Sequence, residues 1–86
     1  MARQQSTMMV KVYSPFKTYF EGPATSLSAA NDTGPFDILP GHKNFMSLLK
    51  ACTVNVHAPQ KPDFNLPISH GVMHVKADQV TVFLDV

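Results

Sequence analysis

The sequence predicts an all-β domain, either a sandwich or a small barrel, and three observations support this. Apolar and polar residues alternate along short segments, as they do on strands with one buried side. Breaker pairs such as Ser14-Pro15 and Pro40-Gly41 separate these segments at intervals of about ten residues. Only one segment, NFMSLLKA, could also be read as a helix. Closely spaced strands without intervening helices are typical of sandwiches and barrels.

Four alternating segments, MMVKVYS, CTVNVH, FNLPIS and QVTVFLD, define the clearest strands. Their predicted inward residues are Met8, Val10 and Val12; Cys52, Val54 and Val56; Phe64, Leu66 and Ile68; and Val80, Val82 and Leu84. Phe83 falls on the outer side of its strand. Pro67 lies inside a strand pattern, and because proline cannot donate to a neighbouring strand, it places that strand at a sheet edge or a bulge.

Turn signals fill the gaps between these strands, and one segment stays ambiguous. The remaining signals are Glu21-Gly22-Pro23, Asn31-Asp32-Thr33-Gly34, Ala58-Pro59 and Ala77-Asp78. In NFMSLLKA, a helix would place Phe45, Leu48 and Leu49 on one face, whereas a strand would be apolar on both sides. We expect a buried strand or a single short turn there.

Composition limits the classes of function. A chain of 86 residues has room for one domain, and its net charge of +1 comes from scattered residues without the basic cluster that nucleic-acid binding requires. No apolar run approaches the ~20 residues that span a bilayer, and no signal peptide is visible. The single cysteine cannot form an internal disulfide, which favours a reducing, cytosolic compartment.

The sequence gives little support for catalysis, a cofactor or a metal site. His70 and His74 have the spacing of a helical zinc pair, but on a strand they would lie ~13 Å apart, too far for one metal ion. No two of the six acidic residues are placed to share a face, so a paired-carboxylate mechanism has no basis. Ser69 and His70 are adjacent and would point to opposite faces of a strand. We therefore expect no enzyme activity.

The segment FDILPGH, residues 36–42, is a candidate binding corner. Ile38 and Leu39 are both apolar, so we expect both faces of the strand to be covered at its end. Pro40 fixes φ and Gly41 allows a conformation that a side chain would forbid, which makes the bend stiff. Polar and then apolar residues follow the bend: His42, Lys43, Asn44, Phe45 and Met46. These residues alone leave a binding surface and an ordinary core corner equally open.

Two longer motifs resemble the epsilon-subunit family of the rotary F-type ATP synthase. The run GPFDILPGHKNFMSLLKACTVNV is similar to the family's G-E-F-G-I-L-P-G-H-A-P-L-L, and ISHGVMHVKADQVTVFLD is similar to its (V/I)-S-G-G-F-L-E-V-x-x-N-x-V-T-V-L-A-D. The matching positions are Gly34, Phe36, Ile38, Leu39, Pro40, Gly41 and His42, then Ser69, Gly71, Val75, Val80, Thr81, Val82 and Asp85. VKVYSPFKTYFEG fits the family's first two strands. The resemblance implies an epsilon-type domain over residues 8–86, preceded by an N-terminal tail, residues 1–7.

The resemblance implies a flattened β-sandwich of about ten strands, without the C-terminal helical hairpin that inhibits ATP hydrolysis in longer members. It implies a non-catalytic subunit of the central stalk, without a cofactor, that links the gamma subunit to the c-ring during proton-driven ATP synthesis. Such a subunit would be a monomer when isolated. It would lie peripherally at the cytoplasmic face of a bacterial inner membrane, held there by the complex.

The same resemblance assigns partner binding to the corner and its neighbours. The expected contact residues are Gly34, Phe36, Ile38, Pro40, Gly41, His42, Lys43, Phe45 and Met46. The sequence departs from the family at Pro35, Asp37, Lys43-Asn44 and His70. An alternative is a free-standing sandwich that binds a carbohydrate or a peptide, with the corner at the lip of a concave site lined by aromatic residues.

Overall fold

A computed structural model describes residues 7–59 and 61–84, and every regular element in these residues is a β-strand. The strands are β1 (Met8–Ser14), β2 (Lys17–Ala24), β3 (Ser26–Asn31), β4 (Gly34–Ile38), β5 (Phe45–Leu49), β6 (Cys52–His57), β7 (Phe64–Ile68), β8 (Gly71–Lys76) and β9 (Gln79–Leu84). The predicted all-β class is confirmed. Within the described ranges, no helix of membrane-spanning length and apolarity occurs.

The strands form two sheets that face each other. One sheet has the order β2-β1-β9-β8-β5 and the other has the order β4-β3-β6-β7. β1 and β9 run parallel, and every other neighbouring pair is antiparallel. The molecule measures 43 × 25 × 18 Å, and its shortest dimension fits two sheets stacked with their outward side chains. The sandwich is therefore flattened, as expected.

Alternating apolar residues of both sheets form the core between them. The most deeply buried side chains are Met8, Val10, Val12, Leu27, Ile38, Val54, Val56, Met73, Val75, Val80, Val82 and Leu84. The inward residues predicted for β1 and β9 are all buried, whereas Cys52, Phe64 and Leu66 are only half-buried. Phe64 and Leu66 belong to β7, which lies at the edge of its sheet. That edge position also confirms the interpretation of Pro67.

One predicted turn is wrong. Glu21-Gly22-Pro23 lies inside β2, where Pro23 pairs with Met9 of β1. β2 is the edge strand of its sheet. Proline is tolerated there because no further strand needs a hydrogen bond from its backbone nitrogen. The chain instead leaves this sheet at Thr25, whose N–H donates to the His57 carbonyl (2.8 Å) in the other sheet.

The ambiguous segment NFMSLLKA forms β5, so the predicted strand is confirmed, but the expected burial is wrong. Met46 is 67% exposed and Leu48 is 74% exposed, while Leu49 is buried. Among the described residues β5 pairs only with β8, and its outward side chains Met46 and Leu48 remain exposed. Both sides of the strand are apolar, and only one of them faces the core.

Candidate functional site

The predicted corner, residues 36–42, covers the end of β4 and most of the connection of residues 39–44 that carries the chain from β4 in one sheet to β5 in the other. The His42 N–H donates to the Leu39 carbonyl (3.1 Å) and closes a four-residue turn. Pro40 and Gly41 occupy its two central positions, and Gly41 has φ +84°. Proline followed by a residue with positive φ is the signature of a type II turn. The prediction that Pro40 and Gly41 shape the corner agrees with this geometry.

The expectation that Ile38 and Leu39 are both covered is wrong for Leu39. Ile38 is fully buried, but Leu39 is 55% exposed. β4 ends at Ile38, so Leu39 already belongs to the turn and no longer lies between the two sheets. Leu39 therefore adds apolar area to the surface beside the bend.

A small aromatic cluster supports the corner from below. The His42 ring packs edge-on against Phe45, with ring centres 5.4 Å apart, and Phe45 packs edge-on against Phe36 at 5.7 Å. His42 Nδ1 lies 2.8 Å from the Lys43 carbonyl oxygen, which accepts a hydrogen bond from the ring. Most of the surface of Phe36 and Phe45 is buried, whereas Lys43 is exposed. The polar corner is thus fixed on an aromatic support.

Most, but not all, of the residues predicted to bind a partner lie together. Gly41, Lys43 and Met46 are exposed; Gly34, Phe36, Pro40, His42 and Phe45 are half-buried; and Ile38 is buried. Gly34 lies at the opposite end of β4 from the corner, after the turn that follows Asn31. Ile38 has no exposed area and can only shape the site from within. Met46 points outward from β5.

A row of apolar side chains crosses the outer face of the five-stranded sheet, and the sequence alone did not predict it. Leu48 pairs with Val72, Val72 with Phe83, and Phe83 with Tyr13, so the four side chains are neighbours across β5, β8, β9 and β1. The rings of Tyr13 and Phe83 lie 5.2 Å apart. We call these four residues the apolar row. Alternation assigned Phe83 to the outer side, but the row requires the strand order, which periodicity does not reveal.

A groove of about 420 Å³ follows part of the apolar row. It is lined by Leu48, Leu49, His70, Gly71, Val72 and Phe83. Only one of these residues is a Phe, Tyr or Trp, so the groove is not the aromatic-lined site that the carbohydrate or peptide alternative predicts.

The outer face of the four-stranded sheet is polar. Ser28 pairs with Asp37 on one side and Asn55 on the other, and Asn55 pairs with Asn65. The Ser28 hydroxyl donates to Asp37 Oδ1 (2.6 Å). This polar row presents hydroxyl, carboxylate and amide groups, whereas the apolar row leaves hydrophobic area exposed.

Ionisable groups do not form a metal site in the part of the chain that the structure describes. No group of three or more His, Cys, Asp or Glu residues there is placed to hold a metal ion. His57 Nδ1 lies 2.9 Å from Asp63 Oδ1, but both side chains are about half exposed at the surface. This pair joins the end of β6 to the segment before β7.

The sequence model of the family described as "ATP synthase, Delta/Epsilon chain, beta-sandwich domain" matches residues 7–86. The chain belongs to this family. The corner and both motifs of the sequence analysis lie within the matched range, so the resemblance inferred from them is confirmed.

Curated relatives carry the name ATP synthase epsilon chain. The protein of Francisella tularensis subsp. holarctica is 35% identical over 78 residues, which is 91% of this chain and 53% of the relative. The protein of Psychrobacter cryohalolentis is 30% identical over 80 residues, which is 93% of this chain and 58% of the relative. The chain thus spans little more than half the length of these relatives. These names agree with the expectation of a non-catalytic epsilon-type subunit.

Solved structures of mitochondrial ATP synthases contain the same fold. A chain in the Euglena gracilis OSCP/F1/c-ring structure aligns with a TM-score of 0.84 at 15% identity, covering 96% of this chain and 53% of that chain. A chain in the Tetrahymena thermophila central stalk/c-ring structure aligns with a TM-score of 0.76 at 14% identity, covering 95% of this chain and 66% of that chain. At these identities the likeness supports the fold.

Proposed function

We propose that this chain is a rotor subunit of an F-type ATP synthase that joins the gamma subunit to the c-ring. The observation that carries the proposal, together with family membership, is the contrast between the two outer faces of the sandwich. One face has the apolar row and the other has the polar row. A subunit that transmits torque needs a firm attachment to its shaft, and only the first face offers one.

The apolar row is the proposed attachment to gamma. Leu48 is 74% exposed, and Val72 and Phe83 are partly exposed beside it. Covering a large apolar side chain contributes about 1.5–3 kcal/mol, so a partner that buries these side chains would be held firmly. The tyrosine at the end of the row belongs to a residue type that is enriched among the strongest contacts of protein interfaces.

The corner supplies the second set of contacts. Lys43 is exposed, and His42 is held beside it by its ring contact with Phe45. The Lys43 ammonium can donate hydrogen bonds to carbonyl or carboxylate groups on a polar loop of the c-ring or on gamma. The Nδ1–H of His42 already donates to the Lys43 carbonyl, so His42 offers its ring and Nε2 to a partner. Met46 adds apolar area next to them. The type II turn restricts this loop before binding, which lowers the entropy cost of contact.

The proposed location follows from these contacts. The chain would be a peripheral protein at the cytoplasmic face of the inner membrane, held there by the c-ring and gamma. Its role in proton-driven ATP synthesis would be mechanical, because catalysis belongs to other subunits.

Co-purification tests the proposal directly. The tagged chain is expressed with the gamma subunit encoded by the same genome, and the complex is purified and then presented with the matching c-ring. We expect a complex with one copy each of gamma and this chain that the c-ring then binds. Gamma that flows through while the folded chain stays on the column would rule the proposal out.

A further inference from the structure

Two hydrogen bonds join the corner to the turn between β8 and β9, which lies beside it in the fold but far from it in the sequence. The Gly41 N–H donates to Asp78 Oδ1 (2.7 Å), and the Ala77 N–H donates to Asn44 Oδ1 (3.3 Å). Each segment thus supplies one side-chain acceptor and one backbone donor. Gly41 and Asp78 are 37 positions apart in the sequence, so no local turn rule accounts for the contact.

The turn that carries Asp78 is itself fixed in place. Lys76 pairs with Gln79, which leaves Ala77 and Asp78 as a two-residue turn, and both have positive φ (49° and 62°). Two successive positive φ values identify a type I′ turn, the kind that matches the twist of a hairpin. The Asp78 carbonyl also accepts from the Met9 N–H (2.9 Å), which ties the turn to β1.

We propose that Asp78 is a positioning residue that holds the corner in its binding geometry. Gly41 tolerates many backbone conformations, so a proline on one side does not fix the turn by itself. A hydrogen bond from its N–H to a carboxylate is stronger than one to a neutral acceptor. Asp78 thereby selects the conformation of Gly41 that places His42 over Phe45 and Lys43 in solvent. The binding part of this inference depends on the proposed function.

Two substitutions of Asp78 distinguish the effect of losing the carboxylate acceptor from the effect of changing the turn conformation. Asp78→Gly removes the acceptor but accepts a positive φ readily, so the hairpin should persist. Asp78→Asn keeps a side-chain oxygen and is also tolerated at positive φ, so it should preserve the contact. The first readout is the hydrogen-exchange rate of the Gly41 amide in the intact chain. We expect exchange at least about fivefold faster in Asp78→Gly and an intermediate rate in Asp78→Asn, whose neutral oxygen accepts a weaker hydrogen bond.

The second readout is affinity for the gamma subunit in complex with the c-ring, because the corner is proposed to contact one or the other. We expect weaker binding by Asp78→Gly, at least about threefold, with partial rescue by Asp78→Asn. Unchanged Gly41 exchange in Asp78→Gly would overturn the inference, and so would faster exchange with unchanged affinity. If the unsubstituted chain does not bind gamma but Gly41 exchange responds as expected, the hydrogen bond stands and the proposed function fails.

Discussion

The two outer faces of the sandwich are built by the same alternation rule but differ in chemistry. On the five-stranded sheet, outward positions in four strands carry Tyr13, Leu48, Val72 and Phe83. On the four-stranded sheet, the corresponding positions carry short polar residues such as Ser28 and Asn55. Since solvent exposure alone does not require hydrophobic residues, the difference supports the proposal that one face meets a partner and the other meets water.

A charge placed on each face in turn gives the largest expected contrast. In Leu48→Glu a carboxylate would be buried against gamma without a partner, which should weaken binding about hundredfold or more. Asn55→Glu places the same charge on the polar face and should leave binding unchanged. Both side chains project from strand surfaces, so both variants should fold. Affinities from isothermal titration against gamma decide the comparison, and equal losses would break it.

Alanine substitutions at two glycines test the backbone geometry beneath the apolar row and at the corner. A Cβ at Gly71 would lie 2.9 Å from the Phe83 carbonyl oxygen, so Gly71→Ala must shift backbone beneath the apolar row. A Cβ at Gly41 meets nothing within 4 Å, but φ +84° strains an alanine there. We expect Gly71→Ala to cost about 2–3 kcal/mol of unfolding free energy and Gly41→Ala about 1–2 kcal/mol. Urea unfolding measures both, and the reverse order would contradict the geometry.

The corner is expected to contribute less to binding than the apolar row. Replacing His42 and Lys43 together by alanine removes the Lys43 ammonium and the His42 ring from a partly exposed site and should weaken assembly about tenfold. The chain should stay folded, because neither side chain belongs to the core. Co-purification with gamma and the c-ring checks the effect, and circular dichroism checks the fold. Undiminished recovery of the complex would remove the corner from the interface.

The polar face should give the smallest effect. Ser28→Ala removes the 2.6 Å hydrogen bond to Asp37 at an exposed edge of the sheet. Loss of one solvent-exposed hydrogen bond should cost no more than about 1 kcal/mol of unfolding free energy. Binding to gamma should not change. A Ser28→Ala variant that folds normally but loses gamma would show that the polar face is also an interface.

The sequence predicted the strands more completely than the surface. Alternation identified the buried positions of β1 and β9, because a residue period of two is a local property. The breaker signal at Glu21-Gly22-Pro23 predicted a turn wrongly, since only the strand order shows that β2 is an edge strand that tolerates Pro23. The apolar row escaped detection for the same reason: Leu48 and Phe83 are far apart in the chain and meet through β8.

The sequence predicted the bend at the corner but not the contacts that hold it in place. Proline before glycine indicates a bend, and the bend is present at Pro40 and Gly41. Nothing in the local sequence indicates that Asp78 accepts from the Gly41 N–H, because that contact depends on how β8 and β9 lie beside the corner. Burial differs from expectation at Leu39 and Met46, which are exposed. Ile38 is covered as expected, and this makes it inaccessible as the contact residue that the resemblance implied.

Cysteine alkylation on the two faces tests most directly whether one of them meets gamma. Leu48→Cys and Asn55→Cys are each made in a Cys52→Ser background, and iodoacetamide reaction rates are measured with and without gamma. A buried interface excludes water and reagent, so gamma should slow alkylation at position 48 about tenfold or more while position 55 reacts at an unchanged rate. Equal rates at position 48 with and without saturating gamma, or protection at position 55 alone, would contradict the assignment.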